Sequence, residues 1–165
     1  MKKYIPFIII YLLLSACAYS VFMNAFPHLR NVQISAFENN TSEYTLAQEL
    51  QNHLVSKFQG DGRLRISNMN PDSIVEGSIL DYRNEIFSYD MFGNVYEYRV
   101  TILFSIEMHD LRMQQVMYEN KSMMLSESYF PGSTNPDLLN SENAAQTRIF
   151  ERLFTTIIQS TLDLW

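Results

Sequence analysis

The chain holds a single thiol, Cys17, and it follows Leu14-Ser15-Ala16. One thiol can form neither an internal disulfide nor a multi-cysteine zinc site. What this position supports is acylation. Small residues ahead of a cysteine let an extended chain enter a signal peptidase, and the thiol then carries lipid. Upstream, Met1-Lys2-Lys3 is a basic start and Tyr4 to Leu14 is almost wholly apolar, the layout of a bacterial export signal. Residues 1–16 therefore read as a lipoprotein signal peptide that leaves Cys17 as the lipidated N-terminus. Two other readings stand beside it: an ordinary export signal with an incidental thiol, and an uncleaved span running on through Ala25. Residues 4–14 alone fall short of the roughly 20 apolar residues a span needs. Ala18, where an Asp would signal retention by the enteric sorting rule, points to the outer membrane, with the protein facing the periplasm. The covalent lipid is the only prosthetic group expected.

Other chemistry-bearing residues are sparse. There is no glycine-rich phosphate loop, no nucleophile elbow and no metalloprotease histidine pair. His28, His53 and His109 lack ligand spacing to one another or to Cys17, so no metal site is expected. Glu76 and Asp81 flank a strand as ordinary solvated carboxylates. The sequons at Asn39 and Asn40 read as turn chemistry. The expectation is a protein that is not an enzyme. The formal net charge is −6, and removing residues 1–16 leaves 149 residues at −8. That balance argues against nucleic acid as a partner. Ten Tyr and eleven Phe within a 47% hydrophobic composition supply enough apolar area for one folded domain.

The elements that must carry these residues can be traced by periodicity. Residues 17–30 read as a lipidated tether, although Tyr19, Val21, Phe22 and Phe26 are apolar enough for some to dock. Asn31 to Phe37 alternates, with Val32, Ile34 and Ala36 on one face, and so predicts a strand. Leu46, Leu50, Leu54 and Phe58 recur every fourth residue on a helix. Thr45 and Gln48 are placed for a capping box, and Gly60 and Gly62 for the stop. Arg63 to Ser67 is a marginal strand, and Ser73 to Tyr82 is a second one with imperfect alternation. From Val95 to His109 the even positions are all apolar and the odd ones mostly polar, a half-buried strand. Gln115 to Tyr129 is its antiparallel return, with Met117, Met123 and Leu125 alternating through gaps. Met113, Met117, Met123 and Met124 suit either an adaptable contact surface or core filling. A last helix begins at Asn135 or at Ser141 and buries Ile149, Leu153, Ile157 and Leu162. Two striped helices and a one-sided sheet predict an α+β two-layer sandwich: a mixed, mostly antiparallel four-stranded sheet with two helices on one face. Residues 31–165 form that single domain.

An ordered series of short motifs resembles the LPS-assembly lipoprotein family (LptE type). It comprises Cys17-Ala18-Tyr19, Pro27 to Ile34, Phe37 to Thr41, Asp61 to Leu64, Glu76 to Arg83, Ser88-Tyr89 and Val95 to Val100. The series covers essentially the whole mature chain. Two departures are Ala18, where the family commonly has Gly, and Asp110 to Gln115, which lacks the usual Gly-Lys hairpin. The resemblance implies an outer-membrane lipoprotein that plugs an LptD-type β-barrel and helps it place lipopolysaccharide in the outer leaflet. It implies lipopolysaccharide as a ligand too. Because the mature domain is acidic, that contact must be local, and Arg112 and Lys121 near the last hairpin are the candidates. The alternative is a pilot or accessory lipoprotein of another outer-membrane secretion or assembly machine.

Overall fold

The computed structural model describes residues 26–162; Cys17 and the expected signal peptide, residues 1–16, lie outside them. The element order is β1 (Asn31–Ile34), β2 (Glu38–Asn39), α1 (Leu46–Asp61), β3 (Arg65–Ile66), β4 (Ser73–Tyr89), β5 (Val95–Asp110), β6 (Gln115–Tyr129) and α2 (Glu142–Thr161). The class is the expected α+β, but the sheet is larger than expected. It has six strands, not four, in the order β3-β1-β4-β5-β6, with β2 also on β4. β1 runs parallel to β3 and β4, β2 runs parallel to β4, and β4-β5-β6 is an antiparallel meander.

The short β2 and the long β4 each have a physical reason. β2 is only two residues long, too short to show a period. It continues the line of β1 along the same edge of β4, Glu38 opposite Ser78 and Asn39 opposite Ile79. β4 runs on to Tyr89 because its second half leaves the helical layer, and the alternation that marks a half-buried strand lapses there. At about 3.3 Å per residue, its seventeen residues reach over roughly 50 Å.

The helices build the core with the stripes their sequences announce. Leu46, Leu50, Leu54 and Phe58 are buried on α1; Ala145, Ile149, Phe150, Leu153, Ile157 and Ile158 on α2. Phe58 and Phe154 meet edge to face at 5.0 Å between them. The even residues Val100, Ile102, Phe104, Ile106 and Met108 of β5 complete the core. Gly62 ends α1 with φ +75° and donates its N–H to the Phe58 carbonyl, a left-handed cap. Thr45 makes no side-chain cap bond, so the capping box does not form. α2 starts at the second of the two expected points, with Ser141 accepting from the Ala144 N–H. Gly77 is obligatory for a different reason: a Cβ there would stand 2.2 Å from the Ser105 carbonyl oxygen.

The gaps in β6 are β-bulges. Its register against β5 slips between Phe104 and Ile106 and again between Met108 and His109. Each bulge inserts one residue and so exchanges the faces beyond it.

Candidate functional site

Among the described residues three surface features and one groove stand out. One is the sheet face opposite the helices. Strand register puts Glu76, Ser78, Asp81 and Arg83 of β4 beside Glu107, Ser105, Leu103 and Thr101 of β5. β6 adds Glu119, Met124, Ser126 and Ser128. Between Glu76 and Arg83 this face is polar apart from Leu103 and Met124, with Ile74 and Val116 beside His109 at one end and Phe87 at the other. Thr101 and Ser126 share a hydrogen bond of 3.0 Å across it, and the Arg99 guanidinium lies 3.2 Å over the Phe87 ring.

A second feature is the arm formed by the far ends of β4 and β5. Beyond the helices it exposes Ile86, Phe87, Tyr89 and Tyr96, and at its tip Met91 and Phe92 are 88% and 82% exposed. The tip is nevertheless tightly tied. Asp90 accepts from the backbone N–H groups of Phe92 and Asn94 at 2.8 and 2.9 Å and from the Asn94 amide at 3.0 Å. Those bonds, led by the Asn94 side chain, hold the Asp90 carboxyl below the usual carboxylate range. Gly93 supplies the left-handed residue at φ +83°. The aromatic rows continue inward, with Tyr98 stacked on Tyr129 and Tyr96 against Phe130, both at 5.3 Å. Tyr82 then joins the arm to α2. Its hydroxyl donates to Glu142 and accepts from Gln146, and burial together with the Glu142 carboxylate pushes its pKa well up.

At the opposite end of the meander the chain entering from the N-terminus is fastened by two buried carboxylates. Asp72 accepts the backbone N–H groups of Arg30 and Asn31, each at 2.9 Å, on one oxygen and the Arg112 Nε–H at 2.5 Å on the other. Asp110 contacts His28 Nε2 at 2.5 Å and accepts the Arg112 and Met113 N–H groups at 2.8 and 2.9 Å. Burial opposes the charge on both acids. The donors outweigh it: Arg30, Arg112 and Asn31 at Asp72; His28, Met113 and Arg112 at Asp110. Both carboxyls therefore lie below their usual range. This clamp closes the hairpin that lacks a Gly-Lys pair; Gln114 takes the left-handed conformation instead, at φ +54°.

The sequence candidates fall in different places. Arg112 belongs to the clamp, and its side chain is still 59% exposed. Lys121 lies at a β6 bulge and pairs with Glu119 at 2.6 Å. The structure thus gives each its own carboxylate and does not join them in one site. Asn39 is engaged in its turn, accepting from the Thr41 N–H and hydroxyl.

A basic groove was missed. A cleft of about 600 Å³ along the free edge of β6 is lined by Arg99, Arg148 and Arg152 with Glu127 and Asp137. Arg152 donates to the Ser126 carbonyl and to Glu127 at 3.0 and 2.7 Å. The available signal was the Arg148/Arg152 pair, one helical turn apart and thus on one face.

Among the described residues no helix is long and apolar enough to cross a membrane. A comparison with curated proteins returned no match. Among solved structures the chain is similar to the hypothetical protein CT253 from Chlamydia trachomatis, at 12% identity and TM-score 0.52, covering 79% of this chain and 94% of that one. It is also similar to a PelC dodecamer from Paraburkholderia phytofirmans, at 12% identity and TM-score 0.50, covering 76% and 83%. These likenesses show the fold alone. The family model for lipopolysaccharide assembly, LptE, matches residues 29–161. That match takes in Asp72, Asp110 and Arg112 of the clamp, the arm and both helices, and the chain accordingly belongs to the LptE family of non-catalytic envelope lipoproteins that serve lipopolysaccharide assembly.

Proposed function

We propose that this protein is an outer-membrane lipoprotein, anchored through lipid on Cys17, that plugs an LptD-type β-barrel, assists its assembly and serves lipopolysaccharide insertion. The family match over residues 29–161 carries the reading. The surfaces suit the role. Barrel lumens are polar, and the uncovered sheet face is polar along Glu76, Ser78, Arg83, Thr101, Ser126 and Ser128. Plugging requires no bond chemistry, only shape and polar contact. Attachment by several acyl chains, each stabilised by about 0.8 kcal/mol per CH₂ buried, is durable.

Co-purification of the lipidated chain after detergent extraction tests the partner. Recovery of a β-barrel of lipopolysaccharide-transport type supports the plug; recovery of a secretin in its place supports a pilot lipoprotein. Mass spectrometry of the mature N-terminus tests the anchor, and an unmodified N-terminus beyond residue 20 overturns it. For the glycolipid, Arg112 and Lys121 are the proposed contacts, each exchanging its carboxylate for a lipid A phosphate. Lipopolysaccharide binding that survives Arg112→Glu with Lys121→Glu removes them. Arg148→Glu with Arg152→Glu asks the same of the groove.

A further inference from the structure

The open sheet face carries an acidic row that the plugging role does not explain. Glu76 lies directly opposite Glu107, and Glu107 directly opposite Glu119. Like charges in cross-strand pairs are destabilising. Lys121 answers Glu119. Beside the other two lies His109, two residues beyond Glu107 and therefore on the same face of β5. Its Nε2 is 3.1 Å from Glu107 Oε2 and 3.5 Å from Glu76 Oε1. A single ring nitrogen can donate one hydrogen to that pair, so as a hydrogen-bonding arrangement the cluster is incomplete.

As a ligand set it fits better. The donor atoms of Glu76, Glu107 and His109 all lie within 4.8 Å of one another. Bonds of about 2.0–2.1 Å to a tetrahedral zinc put neighbouring ligands ~3.3 Å apart, between the two histidine-carboxylate distances. One imidazole with two carboxylates is a nitrogen-oxygen donor set for a borderline transition metal. Two adjacent long strands in register hold the three residues, and a cleft of about 520 Å³ lined by Ile74, Glu76, His109 and Gln115 gives access. The Glu76 side chain is about half exposed.

We propose that Glu76, Glu107 and His109 form a binding site for a divalent transition metal of the zinc class, with a fourth position open to water or to a partner's side chain. The cation would neutralise the repulsion across β4 and β5 and so brace the base of the meander.

The test is calorimetric titration of the full metal-free chain with Zn²⁺, with Mg²⁺ as the hard-cation control. One Zn²⁺ per chain is expected, together with a rise in Tm, and no response to Mg²⁺. His109→Ala and Glu107→Gln should each lower the Zn²⁺ affinity about tenfold or more, the lower bound seen when even an outer-sphere partner is lost. Glu76→Gln, at the more exposed ligand, guards against a folding defect and should also weaken binding. Without metal, Glu107→Gln should melt no lower than the parent, because it removes a like charge. Absence of Zn²⁺ binding, or binding that all three substitutions leave unchanged, overturns the proposal.

Discussion

The two ends of the β4-β5-β6 meander are built on opposite terms. At the base, polar groups are buried and partnered: Asp72 and Asp110 are 2% and 1% exposed, and each of their oxygens meets at least one donor. At the far end apolar groups are exposed, Met91 and Phe92 more fully than Leu111, Met113 and Val116 at the base, and the polar Asp90 organises the turn that presents them. Both ends use an aspartate to order a hairpin, but only the base is closed over by another part of the chain. Stability is concentrated where β5 is covered by helices. The arm has given up cover in exchange for reach. The base holds the entering chain, and the tip offers Met91 and Phe92 roughly one strand length away.

If that division is correct, disruptions at the base should cost most. Gly77→Val has the largest expected effect. Its Cβ meets the Ser105 carbonyl at 2.2 Å, and the backbones of β4 and β5 must part. We expect a loss of at least about 3 kcal/mol in urea unfolding. An unchanged midpoint would mean that the two strands are not held this closely. Asp110→Asn comes next, at about 2 kcal/mol. The amide keeps the shape but loses the charge that gathers His28, Arg112 and Met113. Hydrogen exchange should quicken at the Arg112 and Met113 amides while Phe92 and Asn94 stay as they were.

Acid probes the same contrast without mutation. The folded-state pKa values of Asp72 and Asp110 are depressed. Their stabilisation is therefore present above the unfolded carboxylate pKa of about 3.9 and is lost as pH falls through the lower folded values. His53 acts in a higher window. Burial and Lys57 lower its pKa, so the fold favours the neutral ring and loses stability as pH falls below about 6.5. His53→Phe should flatten the stability profile between pH 7 and 5 and leave the loss below pH 4 intact. A profile unchanged by the substitution would place the upper transition elsewhere.

These regions were unequally legible in the sequence. β5 could be read directly, because helices cover one face and solvent the other, and period two follows. β6 hid its pattern behind two bulges, each of which exchanges inward and outward positions. The outer half of β4 has no helix over either face, so no core imposes alternation on Asn84, Glu85, Ile86 and Phe87. Gly77 stood out only as a gap between Val75 and Ile79; its necessity comes from a neighbouring strand nearly thirty residues away. The surfaces follow the same logic. Arg112 was visible as a cation, but that it answers Asp72, forty residues upstream, depends on the turn that brings them together. Glu76, Glu107 and His109 become one cluster only once the register of β4 on β5 is fixed.

The smallest expected effect on stability is at the tip, and there the comparison is sharpest. Met91 and Phe92 contribute almost nothing to the core, since nearly all of their surface is in water. Substituting both, Met91→Ser with Phe92→Ser, should leave unfolding within about 0.5 kcal/mol of the parent, because the Asp90 bonds run to backbone groups and Asn94. A fully exposed aromatic held on a rigid turn has no folding role to lose. What such side chains can do is anchor in a partner's pocket, where buried aromatics carry much of the binding energy. If the chain plugs a β-barrel as proposed, the doubly substituted chain should fold normally yet recover less of that partner after detergent extraction. Undiminished recovery would assign barrel contact to the polar sheet face alone. A large loss of stability would show that the arm is packed against the rest of the chain, and the contrast between the two ends would fail.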